Sequence, residues 1–377
     1  MAISDVIWWI LFFILLLSLS RLQLFMLRIS VDNLLNEMQI YEVFARHNLL
    51  ATLLKARKDL LEKVPGVTPE EKARYLKTNK EFREIVRRVD KLSETFMISP
   101  VSLDPAGIIQ KLEHLLRTRE KYIKKIVEGM VKVKEEHLKQ NVIGALEAYI
   151  SLHYINKVLR HLYLTARKTG NLYLFMQISM LAPFIRQAVL SVFDTIRAHL
   201  VGIPIGDSIG PIVARMLGGS EQIIDEETKM EIFKTTIMDR NVYIIKALGP
   251  GSEVGEPGKA LEKLINMIGN VSCVITVDAA LKYEGEPSGD VAAGIGAAIG
   301  DVGPQKWRIE EICTRRGIPY FAVIIKMSLV EALTPLARVL INGAKEAMNR
   351  IHEIIEMYTN PGDNVILMGI GNTIGVL

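Results

Sequence analysis

The sequence contains little cysteine, with only Cys273 and Cys313 among 377 residues. Cys273 lies in an apolar run and Cys313 in a predicted helix, and their spacing matches no metal-binding or redox motif. Because disulfides persist mainly in oxidising compartments, we predict two buried free thiols in a protein of a reducing compartment. No disulfide framework is expected.

The familiar motifs of phosphate binding and hydrolysis are also missing. In the glycine-rich stretch before Lys259, the position of the first Walker A glycine is occupied by Glu253, and GxGxxG does not occur there. Six of the seven histidines lie before residue 200, and none forms HExxH. Ser252 and Ser288 have no histidine near them in the sequence, so we expect no Ser-His-Asp hydrolase. No sequence-specific nucleic-acid motif is found.

A long apolar run is present at the N-terminus. Residues 6–20 are uncharged, and residues 22–27 extend the run past Arg21 to a length that can span a bilayer. A cleavable signal peptide is the alternative, but only Asp5 precedes the run and no A-x-A site follows it. We predict an uncleaved, single-pass anchor in residues 1–30. Because Arg21 and Arg28 follow the run, the N-terminus is expected outside the cell membrane and the body in the cytoplasm.

Charge is distributed unevenly along the chain. Residues 28–200 carry 29 Lys and Arg against 19 Asp and Glu, whereas residues 203–377 carry 16 against 22. A basic segment followed by an acidic one suits a membrane-proximal region with a distal domain. Solvated helix faces rich in Lys and Arg are an equally good explanation.

Residues 31–201 show helical periodicity almost throughout and predict an all-α helical bundle. Thr68 to Glu71 read as a capping box, and Asp104-Pro105 opens a further helix. The last segment, residues 172–201, has 14 uncharged residues before Arg186. That length favours a buried core helix, with a second membrane span over residues 172–193 as the alternative.

From residue 202 the pattern changes to that of an α/β domain. Near-continuous apolar runs predict parallel strands, buried on both faces, at residues 242–248, 271–277, 320–326 and 364–370. Helices are predicted between them at residues 258–268, 305–316 and 329–358, the last with a break near Pro335. This alternation predicts an open, mostly parallel, Rossmann-like sheet over residues 202–377, in which the loops that follow the strands share one edge.

Unusual residues follow these strands, where open α/β sheets bind ligands. The turn at residues 249–259 leads into a helix and suits an anion, although Glu253 and Glu256 argue against a bare phosphate and an inert turn is the alternative. Residues 278–304 are dense in Gly, Ala and acids and suggest a ligand loop, with a short helix at residues 291–299 as the alternative. The ligand-binding candidates are Gly249, Gly251, Ser252, Gly255, Gly258, Lys259, Asp278, Gly289, Asp290, Gly294, Gly296, Gly300, Asp301, Lys326, Gly369, Gly371 and Asn372.

Acidic residues in this region suggest a magnesium site. Asp278, Asp290 and Asp301 could hold Mg²⁺ together with water and a phosphate group, because Mg²⁺ prefers oxygen ligands in octahedral geometry. Lys259 or Lys326 would then face the phosphate. The spacing of the three acids matches no fixed metal motif.

The sequence IGDSIGPIVA at residues 205–214 resembles two short family motifs. It is similar to the GDGIGP loop of isopropylmalate-type dehydrogenases and to the GDDGxGP segment of hydrogenase-maturation proteases, whose GxGN turn is matched by residues 369–372. In the proteases the order of the motifs is reversed, and a metal-binding acid would fall on Ser208. Neither chemistry is therefore predicted, and Asp207 is expected to cap the helix that starts near Pro211.

Taken whole, the chain resembles an archaeal family of uncharacterised, membrane-anchored proteins known as a domain of unknown function. The resemblance rests on the N-terminal apolar segment, the helical middle, the GDSIGPIVA loop, the VDAALKYEGE…GAAIGD block and the GIGNT turn. It covers nearly all residues and implies an archaeal source, but it carries over no functional residues.

These features lead to three hypotheses for a protein attached to the lipid bilayer. The first is a binding or regulatory module for a phosphorylated small molecule or nucleotide. The second is a Mg²⁺-dependent enzyme that acts on a phosphate ester. The third is a scaffold whose helical region drives homo-oligomer formation.

Overall fold

The computed structural model describes residues 3–57, 78–98, 100, 107–219, 221–299 and 303–377. In its N-terminal part these residues form five long helices, which confirms the predicted helical region. They are α1 (Ile3–Lys55), α2 (Lys80–Ser93), α3 (Ile108–Glu128), α4 (Glu136–Thr169) and α5 (Leu172–Val201). The helix starts predicted at Thr68 and Asp104 lie outside the described residues.

The helices α4 and α5 form an antiparallel hairpin. Gly170 ends α4 in the left-handed conformation, with φ of 65°, and the Asn171 side chain accepts a hydrogen bond from Leu174 N at the start of α5. Glycine adopts positive φ without the Cβ penalty that other residues incur, and asparagine is a favoured N-cap residue. Local sequence therefore sets the turn of this hairpin.

The bundle core is formed mainly by the second half of α1 together with α4 and α5, and α2 and α3 add buried side chains to it. Val31, Leu34 and Met38 of α1 are fully buried, and so are parts of α5 such as Phe175 and Ile178. Other apolar side chains of α5, such as Phe184 at 69% exposure, face outward, so only one face of this helix belongs to the core. By length and composition alone, two of the described helices could cross a membrane: α1 from Ile7 onward and α5.

The C-terminal part contains a seven-stranded mixed sheet in the order β1-β2-β3-β7-β4-β6-β5. The strands are β1 (Glu221–Asp225), β2 (Met230–Ile237), β3 (Arg240–Ala247), β4 (Cys273–Leu281), β5 (Val291–Ile295), β6 (Tyr320–Met327) and β7 (Asn364–Gly369). The four central strands, β3, β7, β4 and β6, are parallel and are the four that the apolar runs predict. β1, β2 and β5 pair antiparallel and extend the sheet at both edges.

The alternative helix at residues 291–299 is wrong. Residues 291–295 form the edge strand β5, in which Val291 lies opposite Ile325 of β6. Ala292 and Ala293 have a local preference for helix, so pairing with β6 overrides local propensity here. β4 also runs further than predicted, to Leu281, and places Asp278 within a strand.

Helices cover both faces of the sheet. α6 (Ile209–Met216) and α10 (Arg338–Tyr358) pack on one face, and α7 (Pro257–Ile268) and α8 (Pro304–Arg316) pack on the other. The short α9 (Leu329–Leu333) precedes the predicted break at Pro335. Cys273 and Cys313 are buried free thiols, as predicted, and burial raises the pKa of each to about 12, which makes them poor nucleophiles.

The helical bundle contacts the α/β domain directly. Arg117 of α3 forms an ion pair with Glu256 at 2.7 Å, and Glu113 of α3 pairs with Arg308 of α8 at 3.2 Å. The Thr195 hydroxyl of α5 donates a hydrogen bond to the carbonyl oxygen of Leu333 at 2.5 Å. These contacts place α3 and α5 against the carboxyl edge of the sheet.

Candidate functional site

A cavity of about 820 Å³ lies at the carboxyl edge of the sheet, between the bundle and the α/β domain. Its walls come from α4 and α5, the ends of β4 and β6, and the loops that follow β3 and β7. The polar side chains that line it are Arg119, Glu147, Ser151, Thr195, His199, Asp207, Ser252, Asp278, Lys306 and Asn372. Three of the predicted candidates, Ser252, Asp278 and Asn372, therefore meet in one place, at the edge that the sheet topology predicts.

A second cavity of about 570 Å³ lies on the other side of His199. Its lining comes from the helical part of the chain, from the ends of α1 and α5, the start of α4 and the segment before α4. None of the loops that follow the parallel strands reaches it. We therefore assign the candidate site to the larger cavity, where the unusual residues of both parts of the chain converge.

A histidine and a serine are in contact at the wall of the larger cavity. His199 Nε2 lies 3.0 Å from Ser252 Oγ, and His199 Nδ1 lies 2.8 Å from the carbonyl oxygen of Thr195. The expectation that Ser252 has no histidine beside it is therefore wrong. This contact could not be predicted from the sequence, because His199 lies 53 residues before Ser252 and belongs to α5 of the helical bundle.

The backbone of the loop after β3 is held by its neighbours. Ser252 N donates to the Asn141 side-chain oxygen of α4 at 3.0 Å. The Thr373 hydroxyl contacts the carbonyl oxygens of Leu248 and Gly251 at 3.1 and 3.0 Å. Because hydrogen bonds hold both sides of the turn, the position of Ser252 is well defined.

Gly144, in the middle of α4, makes room for this contact. A Cβ atom added at Gly144 would overlap the His199 ring and lie 2.6 Å from Ser252 Oγ. Glycine in a helix interior costs about 1 kcal/mol relative to alanine. The close approach of His199 and Ser252 to the α4 backbone explains why glycine is needed at this position.

The two glycine motifs, GDSIGP and GIGN, lie side by side on the cavity floor. Asp207 Oδ2 accepts a hydrogen bond from Asn372 N at 2.9 Å, so the prediction that Asp207 caps α6 is wrong. Gly371 has φ of 130°, and a Cβ atom there would overlap the Asp207 backbone. Burial raises the pKa of the Asp207 carboxyl, an effect that the Asn372 N–H partly offsets.

The predicted magnesium ligands do not converge. Asp278 is buried at the end of β4, where its carboxylate accepts a hydrogen bond from Ala279 N at 2.7 Å, whereas Asp290 pairs with Lys326 at 3.0 Å beside β5. Since β6 lies between β4 and β5, the two acids are about 10 Å apart. Asp301 lies outside the described residues, and no group of three or more His, Cys, Asp or Glu within them could hold a metal ion.

The two lysines predicted to face a phosphate are each held by acids. Lys259 pairs with Glu256 at 2.8 Å and with Glu113 at 3.5 Å. Lys326 pairs with Glu286 at 2.6 Å as well as with Asp290. At the start of α7, Gly258 N donates to the side-chain oxygen of Gln305 at 3.0 Å. The anion site predicted at this turn is therefore occupied by the protein's own groups.

The candidate glycines among the described residues do not line the larger cavity. Most pack closely against neighbouring segments, namely Gly249, Gly251, Gly255, Gly258, Gly289, Gly369 and Gly371. Gly294 and Gly296 belong to β5 and its end and face open space, and Gly300 lies outside the described residues. Tight packing between loops, rather than contact with a ligand, accounts for most of the glycine pattern.

Sequence reasoning missed His199, Lys306 and Gly144. None belongs to a motif, and His199 reads as a basic residue in the last turn of a helix, where it suits the helix dipole. A lone glycine inside the strong helical pattern of α4 is the one signal that pointed to a close approach. This glycine alone does not indicate which residues lie against it.

The chain belongs to a family defined by two domains of unknown function. Residues 5–202 match the DUF1512 N-terminal domain and residues 205–377 match the DUF1512 C-terminal domain. No curated protein matches the chain. A proteasome-assembly chaperone homologue from Mycobacterium tuberculosis is a similar solved structure, at 15% identity and a TM-score of 0.30, over 42% of this chain and 83% of that one.

Proposed function

We propose that this chain is a membrane-anchored cytoplasmic protein that binds a small phosphorylated molecule or nucleotide in the 820 Å³ cavity. The observation that carries the proposal is the convergence of Ser252, Asp278 and Asn372 at the carboxyl edge of the parallel strands, roofed by the helical bundle. Helices on both faces of the central parallel strands support a Rossmann-like reading of this domain, and such sheets bind ligands at this edge.

Lys306 supplies the positive charge for an anionic group. It lines the cavity in the first turn of α8, where the helix dipole also favours an anion. Within the described ranges Lys306 forms no ion pair, in contrast to Lys259 and Lys326. The other cavity cation, Arg119, is paired with Glu147 at 3.1 Å. Lys306 is therefore the residue we assign to the phosphate.

Thermal unfolding of the full chain in mild detergent tests this assignment. A panel of phosphorylated metabolites and nucleotides, each with and without Mg²⁺, should contain a compound that raises the unfolding temperature. A ligand at 100 times its Kd stabilises by about 2.7 kcal/mol. Lys306→Gln should reduce that shift, whereas Lys345→Gln, which removes an exposed lysine of α10, should retain it. Equal shifts in both variants would refute the assignment, and an inactive panel would refute phosphate binding.

The exposed part of α1 supports the membrane anchor. Most of its apolar side chains between Ile7 and Met26 are exposed, with Trp8 at 72%, and these 20 residues span about 30 Å, the thickness of a bilayer's hydrocarbon core. Large exposed apolar surfaces mark interaction sites. We propose that lipid covers this surface, with the N-terminus outside.

The register of α1 and α5 brings the bundle close to the lipid. Arg186 of α5 pairs with Glu37 of α1 at 2.7 Å, and Phe193 contacts Tyr41 further along, so the two helices run parallel. Counting fourteen residues back along both helices sets Leu172 level with Gln23. The turn between α4 and α5 therefore lies within one helical turn of Met26, the last residue of the proposed span. From there Arg167 and Lys168, in the last turn of α4, can reach anionic headgroups.

Reconstitution into lipid vesicles tests the anchor. The full chain should float with the vesicles and resist extraction at high salt, whereas a chain that begins at residue 31 should be released by salt. In vesicles where residues 31–377 face outward, protease added outside should digest these residues and leave the membrane span in residues 7–26 intact. Full salt release of the complete chain would contradict the proposal.

A further inference from the structure

We propose that Ser252 is a nucleophile for which His199 is the general base, and that the cavity hydrolyses a small carboxylic ester. The inference rests on the proposed function in one respect: the cavity must admit a small ligand. It does not depend on the ligand's phosphate or on Lys306.

Four hydrogen bonds determine where the proton of Ser252 points. Ile374 N donates to Asn372 Oδ1 at 2.9 Å, which orients the amide so that Asn372 Nδ2 donates to Ser252 Oγ, also at 2.9 Å. Ser252 Oγ thus accepts from Asn372, and its own proton is directed to His199 Nε2 at 3.0 Å. Nε2 can accept it because Nδ1 carries the ring proton and donates a hydrogen bond to the Thr195 carbonyl oxygen at 2.8 Å.

This arrangement has the three parts that activate a serine. The nucleophile contacts a base, and the base is oriented by a third group, here the carbonyl oxygen of Thr195 in place of a carboxylate. Thr195 is itself held, since its hydroxyl contacts the Leu333 carbonyl oxygen at 2.5 Å. His199 is 4% exposed, and burial lowers its pKa, so the imidazole is neutral at pH 7 and able to take a proton.

The cavity that contains Ser252 has room for a short apolar acyl group. Small and aliphatic side chains line it at the end of β4, after β5 and in α9, among them Ala280, Ala298, Ile299, Ala332 and Leu333. Apolar lining with a few convergent polar groups is typical of small-molecule sites. A short-chain ester fits this lining better than a highly charged acyl compound.

The reaction is balanced with water as the second substrate. Ser252 Oγ attacks the carbonyl carbon of the ester while its proton passes to His199 Nε2. The ester C–O bond then breaks, and the departing alcohol oxygen takes the proton from His199. Water attacks the acyl-serine, gives its proton to His199, and releases the carboxylic acid, and the proton returns to Ser252 Oγ.

Covalent labelling with a fluorophosphonate probe tests the proposal directly. The full chain in mild detergent should be labelled at Ser252, as located by peptide mass spectrometry, and Ser252→Ala should remove the label. His199→Gln should slow labelling by about 100-fold or more, since a positioned general base contributes about 10²–10⁴ in rate. Ser272→Ala is the matched control, because Ser272 precedes β4 at the opposite end of the sheet and does not line the cavity, and this variant should be labelled at Ser252 at the normal rate.

The pH profile of wild-type labelling is a second test that requires no folded variant. The labelling rate should fall below pH 6.5, the ordinary pKa of histidine, and should follow the protonation of a single group. The reason is that protonated His199 cannot accept the proton of Ser252. The charged groups that share a cavity with His199 are Arg119, Glu147, Asp207, Asp278 and Lys306 on one side and Lys55, Lys132, Lys134 and Glu135 on the other. A pH-independent rate, or no label on Ser252, would overturn the proposal. Labelling of Ser252 without any ligand-induced stabilisation would instead refute phosphate binding alone.

Discussion

At the scale of single residues, the site is built from buried polar groups whose partners come from distant parts of the chain. Asp207 lies on the cavity floor, where burial raises the pKa of its carboxyl above the ordinary 3.8. The folded state therefore binds this proton more tightly than the unfolded state does. As a result, ionisation of Asp207 makes the protein less stable as pH rises from about 4 through the raised pKa.

Asp207→Asn should therefore stabilise the protein at pH 7. Asparagine cannot ionise, and its oxygen can still accept the hydrogen bond from Asn372 N. Thermal unfolding of the full chain between pH 4 and 8 should show the variant above wild type at neutral pH, with the difference shrinking towards pH 4. Glu356→Gln, which alters an exposed side chain of α10, should show no such trend. A variant less stable than wild type at pH 7 would contradict the raised pKa.

At the scale of secondary-structure elements, α4 connects the bundle core to the site. Its buried face contributes Leu146 and Tyr149 to the core, while Gly144 lies against His199 and Ser252. Helix propensity favours alanine over glycine here by about 1 kcal/mol. Packing outweighs that preference, because a methyl group at this position has no room.

Gly144→Ala should destabilise the protein by about 1–3 kcal/mol, the usual cost of overpacking a well-packed site. It should also slow fluorophosphonate labelling, because the added Cβ atom displaces His199 and Ser252. Chemical denaturation and the labelling rate measure the two effects. Thr165→Ala, an exposed substitution on the same helix and outside the cavity, should leave both nearly unchanged. A stabilised Gly144→Ala would mean that His199 and Ser252 do not approach α4 as described.

At the scale of the whole molecule, ion pairs join the bundle to the α/β domain around Glu113. This carboxylate of α3 contacts Arg117 at 3.0 Å, Arg308 at 3.2 Å and Lys259 at 3.5 Å. Its side chain is only 15% exposed, so salt screens it less than a surface pair. The domain contact that forms the roof of the cavity therefore depends partly on one acidic residue.

Glu113→Gln should weaken this contact by about 1 kcal/mol, since several cations lose a shared partner. Thermal unfolding at low salt should show a lower or split transition, and the difference from wild type should shrink in about 1 M salt, where the Debye length is about 3 Å. Glu346→Gln, which removes a pair with Arg350 inside α10, should have little effect at either salt concentration. Unchanged unfolding in Glu113→Gln would show that the network contributes nothing to docking.

Local periodicity was enough to determine the main architecture. The helical region, the four central parallel strands and the helices between them follow from apolar residues at helical spacing and from continuous apolar runs, because burial of one face or of both faces leaves that pattern in the sequence. The edge strands β1, β2 and β5 left no such pattern. Their conformation depends on hydrogen bonds to a neighbouring strand, which only the assembled sheet supplies.

The composition of the site was decided by tertiary structure. From the sequence, the shared edge placed Ser252, Asp278 and Asn372 together, because right-handed crossovers bring the loops after parallel strands to one side. The side-chain partners at the site could not be predicted in the same way. Lys259 pairs with Glu113 of α3, and His199 of α5 contacts Ser252. The charge state and hydrogen bonding of a side chain depend on the groups within about 4 Å of it. At this site those groups come from elements far apart in the chain, and nothing in the sequence shows which of them will meet.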